Sequence, residues 1–158
     1  GGKMETIKSK LILNTFDGTM KSMNINPKCT DSQVKFNISY YNKDDILTKA
    51  VVIFKGVIAI DFEINYFDNF IGSELFGFYE ILENNFKIKM LQKIFNNRIE
   101  GYLYHGNYDY NPLEANDMLN YKEPLDEIIN QIGKYKLYQQ QTQGGIYYVL
   151  ALGYNICE

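Results

Sequence analysis

Val51-Val52-Ile53-Phe54-Lys55-Gly56-Val57-Ile58-Ala59-Ile60-Asp61-Phe62-Glu63-Ile64 is the stretch that decides the fold. Its first four residues are apolar without interruption. After Gly56, Ile58, Ile60, Phe62 and Ile64 alternate with Ala59, Asp61 and Glu63, the period of two that marks a half-buried strand. One strand of this length would be unusual, so Gly56 is predicted to mark a bulge or bend where the facing of the side chains is reset. Ile58, Ile60, Phe62 and Ile64 are expected to face the core.

Upstream, Gln33 to Tyr41 alternates in the same way, with Val34, Phe36, Ile38 and Tyr40 on one face and Lys35, Asn37 and Ser39 on the other. Asn42-Lys43-Asp44-Asp45 reads as a polar turn into the next strand. Earlier still, Lys10 to Phe16 and Thr19 to Ile25 flank Asp17-Gly18, a pair that suits the type I′ turn of a hairpin, and Pro27 closes the second strand. Leu75 to Leu82 fits strand or helix, with Phe76, Phe78, Tyr79, Gly72 and Gly77 favouring strand.

Two segments carry a helical period instead. In Asn85 to Asn97 the positions Phe86, Met90, Ile94 and Asn97 form a stripe flanked by Leu91 and Phe95, with lysines opposite. In 124–132, Leu125, Ile128, Ile129 and Ile132 follow helical spacing behind Pro124, Asp126 and Glu127, and Gly133 supplies the stop. Lys134 to Gln140 and Ile146 to Ile156 then read as a closing hairpin joined through residues 141–145. Strands and helices do not alternate as a parallel sheet requires. The expected fold is therefore mainly β, an antiparallel sheet curled or doubled into a sandwich or barrel with about two short helices.

A chain of 158 residues suits one domain and buries roughly two-thirds of its unfolded surface without covalent staples. Residues 4–158 are read as that single domain, with Gly1, Gly2 and Lys3 added ahead of a start at Met4. Cys29 and Cys157 are expected to be free, buried thiols. No apolar secretion signal follows Met4, and Ala50 to Ile60, the most apolar run, is interrupted by Lys55 and is far shorter than the ~20 residues of a membrane span. A cytoplasmic protein with no membrane partner is the expectation.

Composition bears on function by what it favours. There are 14 Tyr and 10 Phe but one histidine, His105, and no tryptophan. The net charge of −3 argues against a nucleic-acid partner, because such binding neutralises phosphates with lysine and arginine. The charges are unevenly spread. Phe86 to Arg98 carries only positive charge, at Lys87, Lys89, Lys93 and Arg98, whereas Asp109, Glu114, Asp117, Glu123, Asp126 and Glu127 stand against Lys122 alone. Such a stretch keeps a protein soluble, and it can also steer a basic partner.

The densest polar and aromatic grouping is Tyr102 to Pro112, which holds Tyr104, His105, Asn107, Tyr108, Asp109 and Tyr110. His105 and Asp109 are the alternative site, an acid/base pair or the polar handle of a small-ligand pocket. A lone histidine without a second ligand or nucleophile is more often structural. Gly72-Ser73-Glu74 is no nucleophile elbow, and phosphate-binding glycine motifs and zinc spacings are absent. Asp61 and Glu63 share a strand face and could hold a hard cation, though a solvent-facing strand side explains them as well. No metal and no cofactor are expected.

Phe54-Lys55-Gly56-Val57 leading into a second apolar strand, a helix beginning near Glu83, then Tyr135-Lys136-Leu137-Tyr138 and, after a glycine turn, Tyr147-Tyr148-Val149 resembles small, largely uncharacterised proteins of low-GC Gram-positive bacteria. Some relatives of that general kind look like immunity proteins encoded beside toxins. The resemblance spans about the C-terminal two-thirds of the chain and implies a non-catalytic module that binds a protein partner, in that case a basic toxin domain. The surface expected to serve it is acidic and tyrosine-rich: Tyr104, Tyr108, Asp109, Tyr110, Glu114, Asp117, Tyr121 and Glu123.

Overall fold

The computed structural model describes residues 8–26, 31–67, 74–103 and 123–158, without the side chains of 98–103, 123 and 124. The chain divides into two compact units, Gly1–Glu83 with Tyr135–Glu158, and Asn84–Lys134.

The first unit is built of antiparallel strands: β1 (Ser9–Leu13), β2 (Phe16–Asn26), β3 (Gln33–Tyr41), β4 (Leu47–Lys55), β5 (Ala59–Ile64), β6 (Leu75–Ile81), β7 (Lys136–Thr142), β8 (Gly145–Ala151) and β9 (Gly153–Cys157). They form two sheets, ordered β1-β6-β7-β8-β5 and β2-β3-β4-β9. The inner faces share one core. Phe36 of β3 meets the rings of Phe54, Phe62, Phe78 and Tyr147 at centroid distances of 5.9, 6.1, 5.7 and 5.7 Å. Met20, Val34, Ile38, Val52, Tyr138 and Val149 belong to the same cluster. The mainly β, two-sheet expectation holds as a sandwich. It is no barrel, since each sheet ends in edge strands, and an isolated bridge from Thr19 to Glu74 links the two.

The expected first hairpin does not form. β1 pairs with β6 in one sheet and β2 with β3 in the other. Asp17 takes φ 47° while Gly18 does not enter the positive-φ region, so the two positive angles of a type I′ turn are missing. Instead Gly18 N–H donates to Thr15 O at 3.1 Å and the β2–β3 register shifts between Phe16 and Thr19. The pair makes a bulge where the chain has just changed sheets, and Gly18 fits because a Cβ there would lie 3.0 Å from Thr15 and 3.2 Å from Tyr40.

Gly56 does more than bend a strand. It ends β4 at φ +64°, and β5 joins the opposite sheet. A second crossing lies beside it: Leu152, between β8 and β9, donates its N–H to Lys55 O at 3.0 Å, and Ile58 N–H reaches Leu150 O at 2.9 Å. β5 faces as expected in its middle, where Ile60 and Phe62 pack on the core, but Ile64 is 40% exposed at its end. Leu75 to Ile81 is strand, with Gly77 at φ +102° and a register shift beside it. The closing hairpin is tighter than expected, pairing Thr142 with Gly145. Its second strand also breaks at Leu152, so residues 153–156, expected to continue it, belong to the other sheet.

In the second unit, α1 (Asn84–Leu103) runs past the expected end at Asn97, since nothing there breaks a helix. Among its described side chains the buried ones are Lys87, Met90, Leu91 and Phe95. Lys87, expected among the exposed lysines, is only 7% exposed. It stands one turn before Met90 and Leu91, so geometry puts its aliphatic stem on their side of the helix. Lys89 is exposed, with its Nζ 5.8 Å from the centre of the Phe86 ring. α2 (Glu123–Asn130) stops two residues short of the expected end and tightens into a 3₁₀ turn at Ile132–Lys134, held by Lys134 N–H to Gln131 O at 3.0 Å.

Candidate functional site

The outward side chains of β2, β3, β4 and β9 stand in ladder register. One row across the sheet reads Ser22, Asn37, Val51, Cys157, the next Asn24, Lys35, Ile53, Asn155, and a third Asn26, Gln33, Lys55, Gly153. The apolar alternates of each strand are drawn into the sandwich, which leaves hydrogen-bonding groups on the face. Val51 and Ile53 are the exceptions, half-buried between the amides and forming an apolar floor.

Cross-strand and local hydrogen bonds fix these groups. Asn37 Nδ2 donates to Ser22 Oγ at 2.6 Å and to Asn24 Oδ1 at 3.2 Å. Gln33 Nε2 donates to Asp31 Oδ1 at 2.9 Å. With its amide oriented to satisfy both neighbours, Asn155 accepts from Lys55 Nζ at 2.8 Å and donates to Tyr154 O at 2.9 Å. Two open grooves adjoin on this face, of about 670 and 610 Å³, and share Asn37, Val51 and Cys157 as a wall. The first adds Lys35 and Asp31, the second Lys21, Lys49 and Glu158. Lysine outnumbers carboxylate on the face, so its chemistry is that of a donor surface for carboxylate and carbonyl groups.

Glu158 is tied to the core: Tyr40 donates its hydroxyl to Oε1 at 3.2 Å, and burial, followed by this bond and the charge of Glu158, raises the Tyr40 pKa. A smaller groove of about 320 Å³ lies at the end of the other sheet, between Glu63, Phe67, Gln141 and Ile146.

Cys157 is exposed rather than buried, because it alternates outward on an edge strand, and Cys29 lies outside the described residues. So do Tyr104, His105, Tyr108, Asp109, Tyr110, Glu114, Asp117 and Tyr121, and with them the alternative pocket. Glu123 opens α2, with its side chain outside the description. Asp61 and Glu63 lie on the outer face of β5, and among the described residues no three His, Cys, Asp or Glu side chains are grouped as a metal site would need. Among those residues no helix is long and apolar enough to cross a membrane.

Sequence reasoning assigned Lys35, Asn37 and Ser39 to the outer side of β3 but did not count that side as a site. The available signal was the second polar alternation, Ser22, Asn24 and Asn26, on the neighbouring strand. No family model, curated protein or solved structure matches the chain.

Proposed function

We propose that this chain is a non-catalytic protein-binding module acting in the cytoplasm. The observation that carries the reading is the open face of β2-β3-β4-β9, where lysines and pre-positioned amides surround an apolar floor. A surface of this make-up suits a protein partner: the floor supplies area to desolvate, the amides take main-chain groups, and the lysines steer a carboxylate-bearing surface. The acidic, tyrosine-rich stretch from Tyr104 to Glu123 is a second contact region, of opposite sign and suited to a basic patch. The resemblance to immunity proteins makes a toxin domain the partner to try first.

Capture of a partner from the native host by the full chain, followed by charge reversal, tests this. Lys35→Glu with Lys49→Glu should slow association and change its salt dependence if the sheet face is used. Glu114→Lys with Asp117→Lys should do the same if the acidic stretch is used. A captured partner whose association rate and salt dependence are unchanged by both pairs removes the electrostatic reading, and failure to retain any protein partner removes the function.

A further inference from the structure

Among the described residues the two sheets end in four edges, three of them unsuited to pairing with a copy of themselves. β1 carries Lys10 and a register shift between Leu11 and Leu13. β2 carries Asp17 and Lys21 and is shifted twice. β5 is regular but carries Asp61 and Glu63. Charges and bulges of this kind are how proteins keep edges from being extended. β9 has neither: Gly153-Tyr154-Asn155-Ile156-Cys157 is uncharged, pairs with β4 without a shift, and among the described residues has a strand on one side only.

We propose that the free edge of β9 pairs antiparallel with β9 of a second copy of this chain. This rests on the strand edge and is independent of the binding face described above. A symmetric pair sets each strand against itself, so about its centre β5 would set Asp61 against Glu63 of the second copy, while the register shifts of β1 and β2 break the ladder such a pair needs; β9 is the edge that escapes both. Centring the pair on Asn155 uses all five residues. Asn155 then lies opposite Asn155 of the second copy, Tyr154 opposite Ile156, and Gly153 opposite Cys157. The aromatic and β-branched pair is a favourable cross-strand neighbour, and it covers Tyr154 and Ile156, which are only partly buried where they pack on the core.

Light scattering on the full chain across a concentration series should show a monomer–dimer equilibrium. Asn155→Lys should weaken it at least tenfold, because two new ammonium groups would meet each other beside Lys55 of each copy. Asn155→Asp should be milder, since Lys55 meets the new carboxylate.

The register has its own test. Gly153→Cys, in a Cys29→Ser background, should under mild oxidation form a disulfide between the introduced thiol of one copy and Cys157 of the other. A Cβ at Gly153 meets no atom within 4 Å, so the change is tolerated. Within one chain the two positions are four strand residues apart, roughly 13 Å, too far for a disulfide. A monomer at every concentration, equal effects of lysine and aspartate at 155, or links only between two Cys157 would each overturn the proposal. A monomer that instead takes up a free peptide at β9 would assign the edge to a different occupant and overturn it as well.

Discussion

Phe36 and Phe78 meet edge to face across the sandwich, with centroids 5.7 Å apart and planes at 67°, so one ring of each sheet is locked against the other. Phe36 also touches the rings of Phe54, Phe62 and Tyr147, which makes it the point where both sheets are held. Phe36→Ala should therefore cost about 3–5 kcal/mol in denaturant unfolding. Phe62, at the half-buried margin of the same cluster, should cost distinctly less. Equal losses would show that the cluster is not centred on Phe36.

Tyr138 is buried, and its hydroxyl has no hydrogen-bond partner among the described residues. Tyr138→Phe should leave the protein as stable at neutral pH or stabilise it by about 1 kcal/mol, because it removes a polar group that is desolvated without compensation. A loss above that size would show that the hydroxyl is paired.

The same phenol gives an alkaline limit. Burial, with the charges of Glu80 and Tyr154 behind it, pushes the Tyr138 pKa up to about 12 from 10.0. The neutral form is favoured in the folded chain, so this group's stabilisation is complete below the unfolded value and is lost as pH rises from 10 towards 12. Tyr40 and Tyr147, both raised chiefly by burial, add to the loss in the same direction. Unfolding free energy should fall over that window, and in Tyr138→Phe the fall should be shallower.

A Cβ on Gly56 would lie 2.6 Å from Leu152 Cδ1, at a residue already at φ +64°. Gly56→Ala combines a left-handed strain of about 1–2 kcal/mol with this clash. Leu152→Ala removes Cδ1 and Cγ, the two nearest carbons, and leaves the strain, so the double variant should be more stable than the two single losses added together. Strict additivity would mean that the crossings at Gly56 and Leu152 are independent.

Asn42 organises the β3–β4 turn: its Oδ1 accepts from the N–H of Asp44 at 2.9 Å and of Ile46 at 3.1 Å, and Asp45 takes φ 60°. Asn42→Ala should destabilise by about 1 kcal/mol. Asp45→Gly should stabilise by a few tenths to about 1 kcal/mol, since glycine adopts that angle without steric cost. If both changes were neutral in thermal unfolding, the turn would not be setting the register.

What was legible in the sequence was local. Val34, Phe36, Ile38 and Tyr40 are buried where period-two alternation put them, because alternation reads directly onto the two faces of a strand. What was not legible was which sheet a strand joins. Asp17-Gly18 carries the residues of a hairpin turn and builds a sheet-changing bulge, since the backbone there also answers to Tyr40, a residue that only the fold brings near. The outer face of β3 was readable residue by residue. That Asn37 and Lys35 align with Val51 and Ile53 of β4 and with Cys157 and Asn155 of β9 follows from a register set over the whole chain, and this hid the candidate face.

The chain changes sheets between β1 and β2, at Gly56 and at Leu152, so neither sheet is a continuous piece of sequence. β4 is made early, yet its partner on one side is β9, with Val51 set against Cys157. During synthesis Leu47–Lys55 thus emerges and pairs with β3 while its other flank waits for residues far along the chain. Loop closure of that span delays the last step of assembly. The nascent protein carries for that interval a bare strand, Val51 to Phe54, of the kind that aggregates, so recovery of soluble protein should depend on how quickly β9 arrives.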